Sequence, residues 1–246
     1  MDQEVINFIE ARVVRFNERR LDKLRGYNLR SLIRKKNPYL SPAKNIRTFE
    51  ELARSMLDAA LSSSEETMFG EVLEDVALLV ASKYRGAWKS TASGIDLEFD
   101  LDTARVLISV KSGPAWGNSQ QVKRMIANFN AAEKVLRQGG RVNHVRRING
   151  CCYGYDPKQF HDGYEKICGQ AFWELVSGDV AFHVWLVQPI CEAAKRRSEE
   201  FVSSYYAVVN SVAKDLGNSF GTAGEIEWER ISVECNAPRA TQKASR

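Results

Sequence analysis

Only three of the 246 residues are histidine, His144, His161 and His183, and they are too scattered along the chain to assemble a zinc site. No H-E-x-x-H run occurs either, so histidine–metal hydrolysis has no support. Cysteine is scarce in a telling way. Cys151, Cys152, Cys168, Cys191 and Cys235 are odd in number and contain no C-x-x-C pair, which argues against a disulfide framework or a zinc knuckle. Reduced thiols in a cytoplasmic protein are the expectation. Gly169, Gly178 and the glycines from Gly217 to Gly224 come without a phosphate-loop lysine, which leaves nucleotide hydrolysis unsupported. No apolar run reaches membrane length, and Met1-Asp2-Gln3-Glu4 lacks the charge and apolar core of a signal peptide. Internal repeats and low-complexity tracts are missing as well.

What is present is ordinary globular make-up, 44% hydrophobic and 27% charged, enough for one large core or two modest ones. The net charge of +4 is unevenly placed. Residues 11–47 hold twelve basic side chains against Glu18 and Asp22, a local net of +10, so the rest of the chain sums to −6. A basic arm beside an acidic site is what a polyanion-binding protein shows; a solvated basic helix has the same composition.

Residues 2–36 read as helices, with Val5, Ile6, Ile9, Val13 and Phe16 on one stripe, broken at Asn37-Pro38 because proline disfavours helical dihedrals before it. Thr48–Leu61 reads as another helix, capped by Thr48 with Glu51 completing a capping box. Ser62-Ser63-Ser64 then links it to a helix whose Phe69, Val72, Leu73, Val76, Leu79 and Val80 form an apolar face opposite Glu71, Glu74 and Asp75. Ser119–Gln138 is a helix closed by Gly139-Gly140; Val142–Tyr155 a central strand; Tyr164–Ser177 a helix; Phe182–Pro189 a strand; Glu192–Leu216 a long helix. This order predicts an α/β domain, a central mixed sheet flanked by helices, with a helical N-terminal extension. Trp173 and Trp185 sit among apolar neighbours and are expected in the core, whereas Trp116, between Pro114 and Gly117, is the tryptophan expected near a ligand.

The chemistry concentrates in residues 93–113. Ile95, Leu97 and Phe99 alternate with Asp96 and Glu98, so one face of a strand is apolar and the other carries both carboxylates. Val106, Ile108 and Val110 alternate with Leu107, Ser109 and Lys111 in a second strand, with Asp100–Arg105 as the hairpin loop. Carboxylates suit Mg²⁺, a hard ion that keeps several waters, and an adjacent ammonium can take a phosphate oxygen. A solvated antiparallel hairpin shows the same alternation. Against that reading, Val106–Val110 is nearly all apolar, as in a strand buried on both faces, and a lysine ending such a strand is costly unless paired. Ser112-Gly113-Pro114 then stops the strand sharply and leaves Lys111 at its end.

An Asp followed by (D/E)-X-Lys in the next strand is the signature of the PD-(D/E)XK nuclease superfamily. Gly94-Ile95-Asp96-Leu97-Glu98-Phe99, Ile108-Ser109-Val110-Lys111-Ser112-Gly113-Pro114 and Trp116-Gly117-Asn118-Ser119 together resemble type II restriction endonucleases that cut interrupted, GC-rich palindromes. Lys36-Asn37-Pro38-Tyr39-Leu40, Cys168-Gly169-Gln170-Ala171-Phe172-Trp173 and Ser177-Gly178-Asp179 extend the resemblance to about residues 30–190. The chain departs from the pattern at Ser109, where the superfamily has an acid. The resemblance implies that Asp96 holds Mg²⁺ with a carboxylate recruited from elsewhere. Glu74, in a Gly-X-X-X-Glu run like the one preceding the metal site in many members, is the first choice, Glu71 the second, and Glu98 the alternative, with the Val110 carbonyl as a further ligand. Lys111 would position the attacking water or stabilise developing charge, and Ser109 would orient a ligand.

The implied function is Mg²⁺-dependent cleavage of both strands of double-stranded DNA by a homodimer paired with a cognate DNA methyltransferase. The competing readings are a structure-directed or repair nuclease of the same superfamily and a non-cleaving DNA-binding protein with a decayed site. Residues 1–61 would serve DNA binding, dimerisation or both, 62–235 would be the nuclease core and 236–246 a frayed tail. Candidate DNA contacts are Arg34, Lys35, Lys36, Asn37 and Lys44 in the basic region, and Trp116, Asn118, Ser119, Gln120 and Lys123 after the catalytic strand.

Overall fold

The structure, a computed structural model, describes residues 2–34, 37–139, 144–195 and 198–237. Of the residues singled out above, Met1, Lys35, Lys36, Gly140, Val142 and the tail from residue 238 lie outside these. The chain forms two compact units: Met1–Phe16 with Thr67–Lys195, and Asn17–Glu66 with Arg196–Arg246. Two of the three boundaries fall within long helices, α1 (Gln3–Arg25) and α4 (Phe49–Arg85), and the third follows Lys195.

The first unit is a six-stranded mixed sheet between helices, as the element order predicts. Its strands are β1 (Trp88–Lys89), β2 (Leu97–Leu101), β3 (Ala104–Lys111), β4 (His144–Cys151), β5 (Phe160–His161) and β6 (Tyr164–Cys168), in the order β1-β2-β3-β4-β6-β5. β3 and β4 are the two central strands, the latter as expected within Val142–Tyr155; β3 is antiparallel to β2 and parallel to β4, and every residue from Val106 to Val110 is buried. One face of the sheet meets α4 and the start of α1: Val72, Val76 and Val80 share a core with Val5, Ile9, Val13, Leu97, Phe99, Val106 and Ile108. The other face meets α5 (Ser119–Gln138), whose Met125, Phe129 and Ala132 pack with Ile95 and Leu107. Beyond β6, α6 (Gln170–Ser177), α7 (Phe182–Trp185) and α8 (Val187–Ala194) add Phe172, Trp173, Val176 and Phe182 to the α4-side core, and Trp173 also donates its indole N–H to the Cys152 carbonyl at 2.7 Å.

The second unit is mostly helical. It contains the remainders of α1 and α4, α2 (Leu29–Ile33), α3 (Leu40–Ala43), α9 (Ser198–Phe220), the small pair β7 (Gly221–Thr222) and β8 (Glu225–Ile226), and α10 (Trp228–Asn236). Its core joins Leu21, Leu24, Leu32, Leu52, Leu57, Val209 and Leu216. Arg34, at the end of α2, is ion-paired with Glu234 at 2.7 Å.

Several sequence expectations need correction. Ser62–Ser64 does not link two helices but lies inside α4. Its serines are tolerated there because Leu57, Leu61 and Met68 continue the buried stripe and the Ser64 hydroxyl bonds the Ala60 carbonyl one turn back. Tyr164–Cys168 is a strand, since pairing with β4 outweighs local preference, and Gly169 at φ +55° separates it from α6. The apolar run Phe182–Pro189 is helical; such a run lacks the alternation that separates strand from helix. Pro189 sits in the first turn of α8, where a backbone N–H would have no intrahelical acceptor. The helix expected over Glu192–Leu216 is divided between α8 and α9. The β2–β3 turn is only Asp102 and Thr103, with Asp102 at φ +53° and the expected loop residues Asp100 and Arg105 already paired. By contrast, Glu51 donates its amide to Thr48 Oγ1 at 3.1 Å and accepts the Thr48 amide at 3.2 Å, the expected capping box.

Candidate active site at the end of β3

Simple alternation breaks at the start of β2. Leu97 pairs with Ile108, yet the amide of Asp96 also donates to the Ile108 carbonyl, at 2.8 Å. Two successive residues thus address one partner, as in a β-bulge. The consequence is visible in packing: Ile95 joins the α5-side core, whereas Leu97 and Phe99, expected on its face, join the α4-side core. Asp96 lies at the point where the strand changes face. Its Oδ2 accepts the Val110 amide at 2.7 Å, and the nearby Ser109 hydroxyl also favours the charged carboxylate.

Glu74 approaches from α4. Four residues earlier on that helix is Gly70, where a Cβ would run into the Ser112 hydroxyl. The missing side chain lets α4 lie against the residue that follows Lys111, and one turn later the same helix face presents Glu74. Glu74 is half-buried, and the Asp96 charge is the strongest of the charges that act on it. Burial and then Asp96 push the Glu74 carboxyl above its ordinary range, opposed by Lys111 and Lys89. Burial likewise raises Asp96, opposed by the Val110 amide, Lys111, Lys89 and the Ser109 hydroxyl. Lys111 holds its ammonium 5.2 Å from the centre of the Trp116 ring, a cation–π contact.

The structure thus brings Asp96, Ser109, Lys111 and Glu74 together, with Val110 supplying its amide. Glu98 is placed otherwise: it pairs across the hairpin with Leu107, which packs on the α5 side, and is engaged by the Ser90 hydroxyl and by Arg105 at 3.5 Å. Glu71 is exposed on α4. Trp116 donates its indole N–H to Asn149 Oδ1 at 2.8 Å. Asn118 is the N-cap of α5, accepting the amides of Gln120 and Gln121, both at 3.1 Å, while Ser119, Gln120 and Lys123 are exposed at that helix's N-terminal end. In the other unit Asn37 accepts the Tyr39 amide at 3.0 Å, and Lys44 is exposed.

Three contributors escaped sequence reasoning. Asn149 is fully buried on β4 opposite Ser109, bonds the Ser109 carbonyl at 3.2 Å and anchors Trp116. Lys166 donates to the Pro114 carbonyl at 2.9 Å while paired with Asp156, tying down the turn after Lys111. Lys89, on β1, acts on both carboxylates. Nothing local distinguishes Asn149, in a strand that also carries Arg146 and Arg147, nor Lys89 or Lys166.

The donor set fits a hard divalent ion. Among the described residues no group of three or more His, Cys, Asp or Glu side chains forms a metal cage. Mg²⁺ needs none: it binds through one or two carboxylates, retained waters and a substrate phosphate, which Asp96 and Glu74 can supply. The raised carboxyls have a thermodynamic consequence without metal. The folded state holds protons more tightly than the unfolded state, so stability falls as pH rises from the unfolded pKa through the folded one, and is flat above it. Glu74→Gln removes part of that penalty. In EDTA at pH 8 it should melt above the parent, about 2–4 °C for each kcal/mol recovered. The gap should close near pH 4, and Mg²⁺ should narrow it by raising the parent. Thermal melts at the two pH values check this; a variant less stable at both would contradict it.

A family model described as Type II restriction endonuclease EcoO109I matches residues 3–198 of the chain. A search of curated proteins gives no match.

Proposed function

Because the chain belongs to the type II restriction endonuclease EcoO109I family, and is therefore a hydrolase acting on DNA, we propose that it uses Mg²⁺ at the Asp96–Glu74 pair to cut both strands of a palindromic, GC-rich site. The observation that carries this reading is the close approach of α4 to Ser112 at Gly70, which brings Glu74 to the end of β3, where Asp96 is the strongest charge acting on it and Lys111 opposes. A second carboxylate reaches the site from a helix where β3 itself has Ser109. Burial disfavours the charged form of each carboxylate and like charges repel, so their juxtaposition is costly, and a divalent ion would offset that cost.

A divalent ion held there would polarise the scissile phosphate and lower the pKa of an attacking water. The protein's own part is positional. The Val110 amide fixes the Asp96 carboxylate, the Ser109 hydroxyl favours its charged form, and the Trp116 ring, held by Asn149, carries the Lys111 ammonium. Lys111 then stands ready to stabilise negative charge gathering on the phosphoryl oxygens, with Pro114 pinned by Lys166 to keep its strand end in place. A palindromic target matches a two-fold protein, so a homodimer with one such site per subunit follows, and the host genome requires a cognate DNA methyltransferase for protection.

Incubating a plasmid of known sequence with Mg²⁺ and mapping the ends tests the reading. Discrete fragments with ends at one repeated palindrome support it. Cutting only at junctions or lesions would move the protein to structure-directed repair, and binding without cutting would make it a DNA-binding protein with a decayed site.

The basic region is assigned to DNA phosphates. Neutralising Arg34, Lys35 and Lys36 together should weaken binding to cognate and random duplexes by similar factors and flatten the salt dependence, since each lost phosphate contact removes about 0.9 of slope. Arg34 already shares its charge with Glu234, so the slope should fall by less than three full contacts. Binding against salt, with sedimentation of the variant, makes the check: an unchanged slope in a monomeric variant would assign these residues to dimerisation.

A further inference from the structure

β1 is only two residues long, and both are exposed. Trp88 pairs with Glu98 and Lys89 with Leu97. Residues directly opposed in an antiparallel pair project to the same face of the sheet. Trp88 follows Glu98: Arg105, which bonds Glu98, also lies 4.8 Å from the Trp88 ring centre. Lys89 must therefore follow Leu97, whose side chain is in the core shared with Val72, Val76 and Val80 of α4. That is the face from which Glu74 enters. The strand is also anchored beside Asp96, since the Ser90 amide reaches the Asp96 carbonyl at 3.5 Å and the Ser90 hydroxyl bonds Glu98.

Lys89 and Lys111 thus flank the two carboxylates from different sides. Lys111 is committed to the Trp116 ring, on the side where Trp116 packs with the α5 core. Among the described residues Lys89 has no such ring contact, and it is exposed on a two-residue edge strand. The charge balance is informative. Asp96 and Glu74 are faced by Lys111 and Lys89, and Asp75, which also acts on Glu74, is ion-paired with Arg12 at 3.2 Å; an acid at position 109 would have added a negative charge to this group.

We propose that Lys89 is a second phosphate-binding lysine of this site, taking a non-bridging oxygen of the DNA backbone from the α4 face while Lys111 serves the scissile phosphate from the other. This rests on the nuclease reading above and deepens it: Lys89 supplies a charge-assisted hydrogen bond to the backbone beside the metal-binding carboxylates. Both carboxylates already feel its charge.

The test pairs Lys89→Gln and Lys89→Arg with duplexes carrying a single neutral methylphosphonate, scanned across the phosphates around the mapped cut. Two quantities are read: single-turnover cleavage with Mg²⁺ and equilibrium binding in EDTA. Lys89→Gln should slow cleavage about 10- to 100-fold and weaken binding, with Lys89→Arg recovering most of both. At one phosphate, neutralisation should weaken wild-type binding and leave Lys89→Gln unaffected, because the contact is already gone. Cleavage and binding by Lys89→Gln equal to wild type would overturn the assignment. So would a loss of the same factor in both proteins at every substituted phosphate. A wild-type protein that cuts no duplex would overturn the nuclease reading, and this assignment with it.

Discussion

Asp96→Asn and Lys111→Gln are each expected to lose roughly 10³-fold or more in cleavage rate while remaining folded and binding duplex DNA in EDTA. Asparagine keeps an oxygen for the Val110 amide to bond, so the bulge at Asp96 should survive and only the charge is removed. Because burial already disfavours the Asp96 carboxylate, the variant should melt no lower than the parent at pH 8. Lys111→Gln gives up the contact with Trp116, worth about 0.5–1 kcal/mol at an exposed site, too little to unfold the unit. Cleavage rate, melting temperature and binding measured on the same preparations decide the matter. Parental activity in either variant would remove that residue from the site.

Glu74→Gln should cost about 10²- to 10³-fold in rate and move the Mg²⁺ dependence to higher concentration, as loss of one of two charged oxygen donors would. Glu71→Gln, on the exposed side of α4, should cleave near the parental rate. Glu98→Gln should act differently again. It removes the charge that the Ser90 hydroxyl bonds, while Arg105 keeps Asp100 at 2.7 Å, so its effect should appear in stability, about 0.5–1.5 kcal/mol, more than in Mg²⁺ dependence. The three variants titrated with Mg²⁺ separate the candidates for the second carboxylate: a rate collapse in Glu71→Gln with an active Glu74→Gln would relocate the ligand on α4, and collapse in Glu98→Gln alone would return it to β2.

Much of this was legible in the chain because it is local. The capping box of Thr48 and Glu51 forms between residues three apart, and α5 runs from Ser119 to Gln138, as its spacing and flanking glycine indicate. The burial of β3 on both faces could be read from Val106–Val110, since a nearly unbroken apolar run leaves no side for water. The mixed α/β architecture followed from the order of elements, and the family from short strings of side chains around Asp96 and Lys111.

Local pattern failed where a partner distant in sequence decided the outcome. Tyr164–Cys168 is extended because β4 offers it a hydrogen-bonding edge. Phe182–Pro189 is helical because its apolar residues find a core on helical spacing. The decisive case is the bulge at Asp96. Alternation placed Asp96 and Glu98 on one face with Ser109 and Lys111, whereas the second pairing to Ile108 turns the strand, leaving Glu98 with Arg105 and Asp96 with Glu74 and Lys89 nearby. A period of two carries no information about a residue added to a strand, nor about which helix closes over its end. By itself the sequence determined the residue types for a phosphodiesterase chemistry and the strands that bear them. Which carboxylate faces Asp96, and which lysine stands opposite, was decided by the close approach of α4 at Gly70 and the register of β1, because a field between charges depends on distance in space and not along the chain.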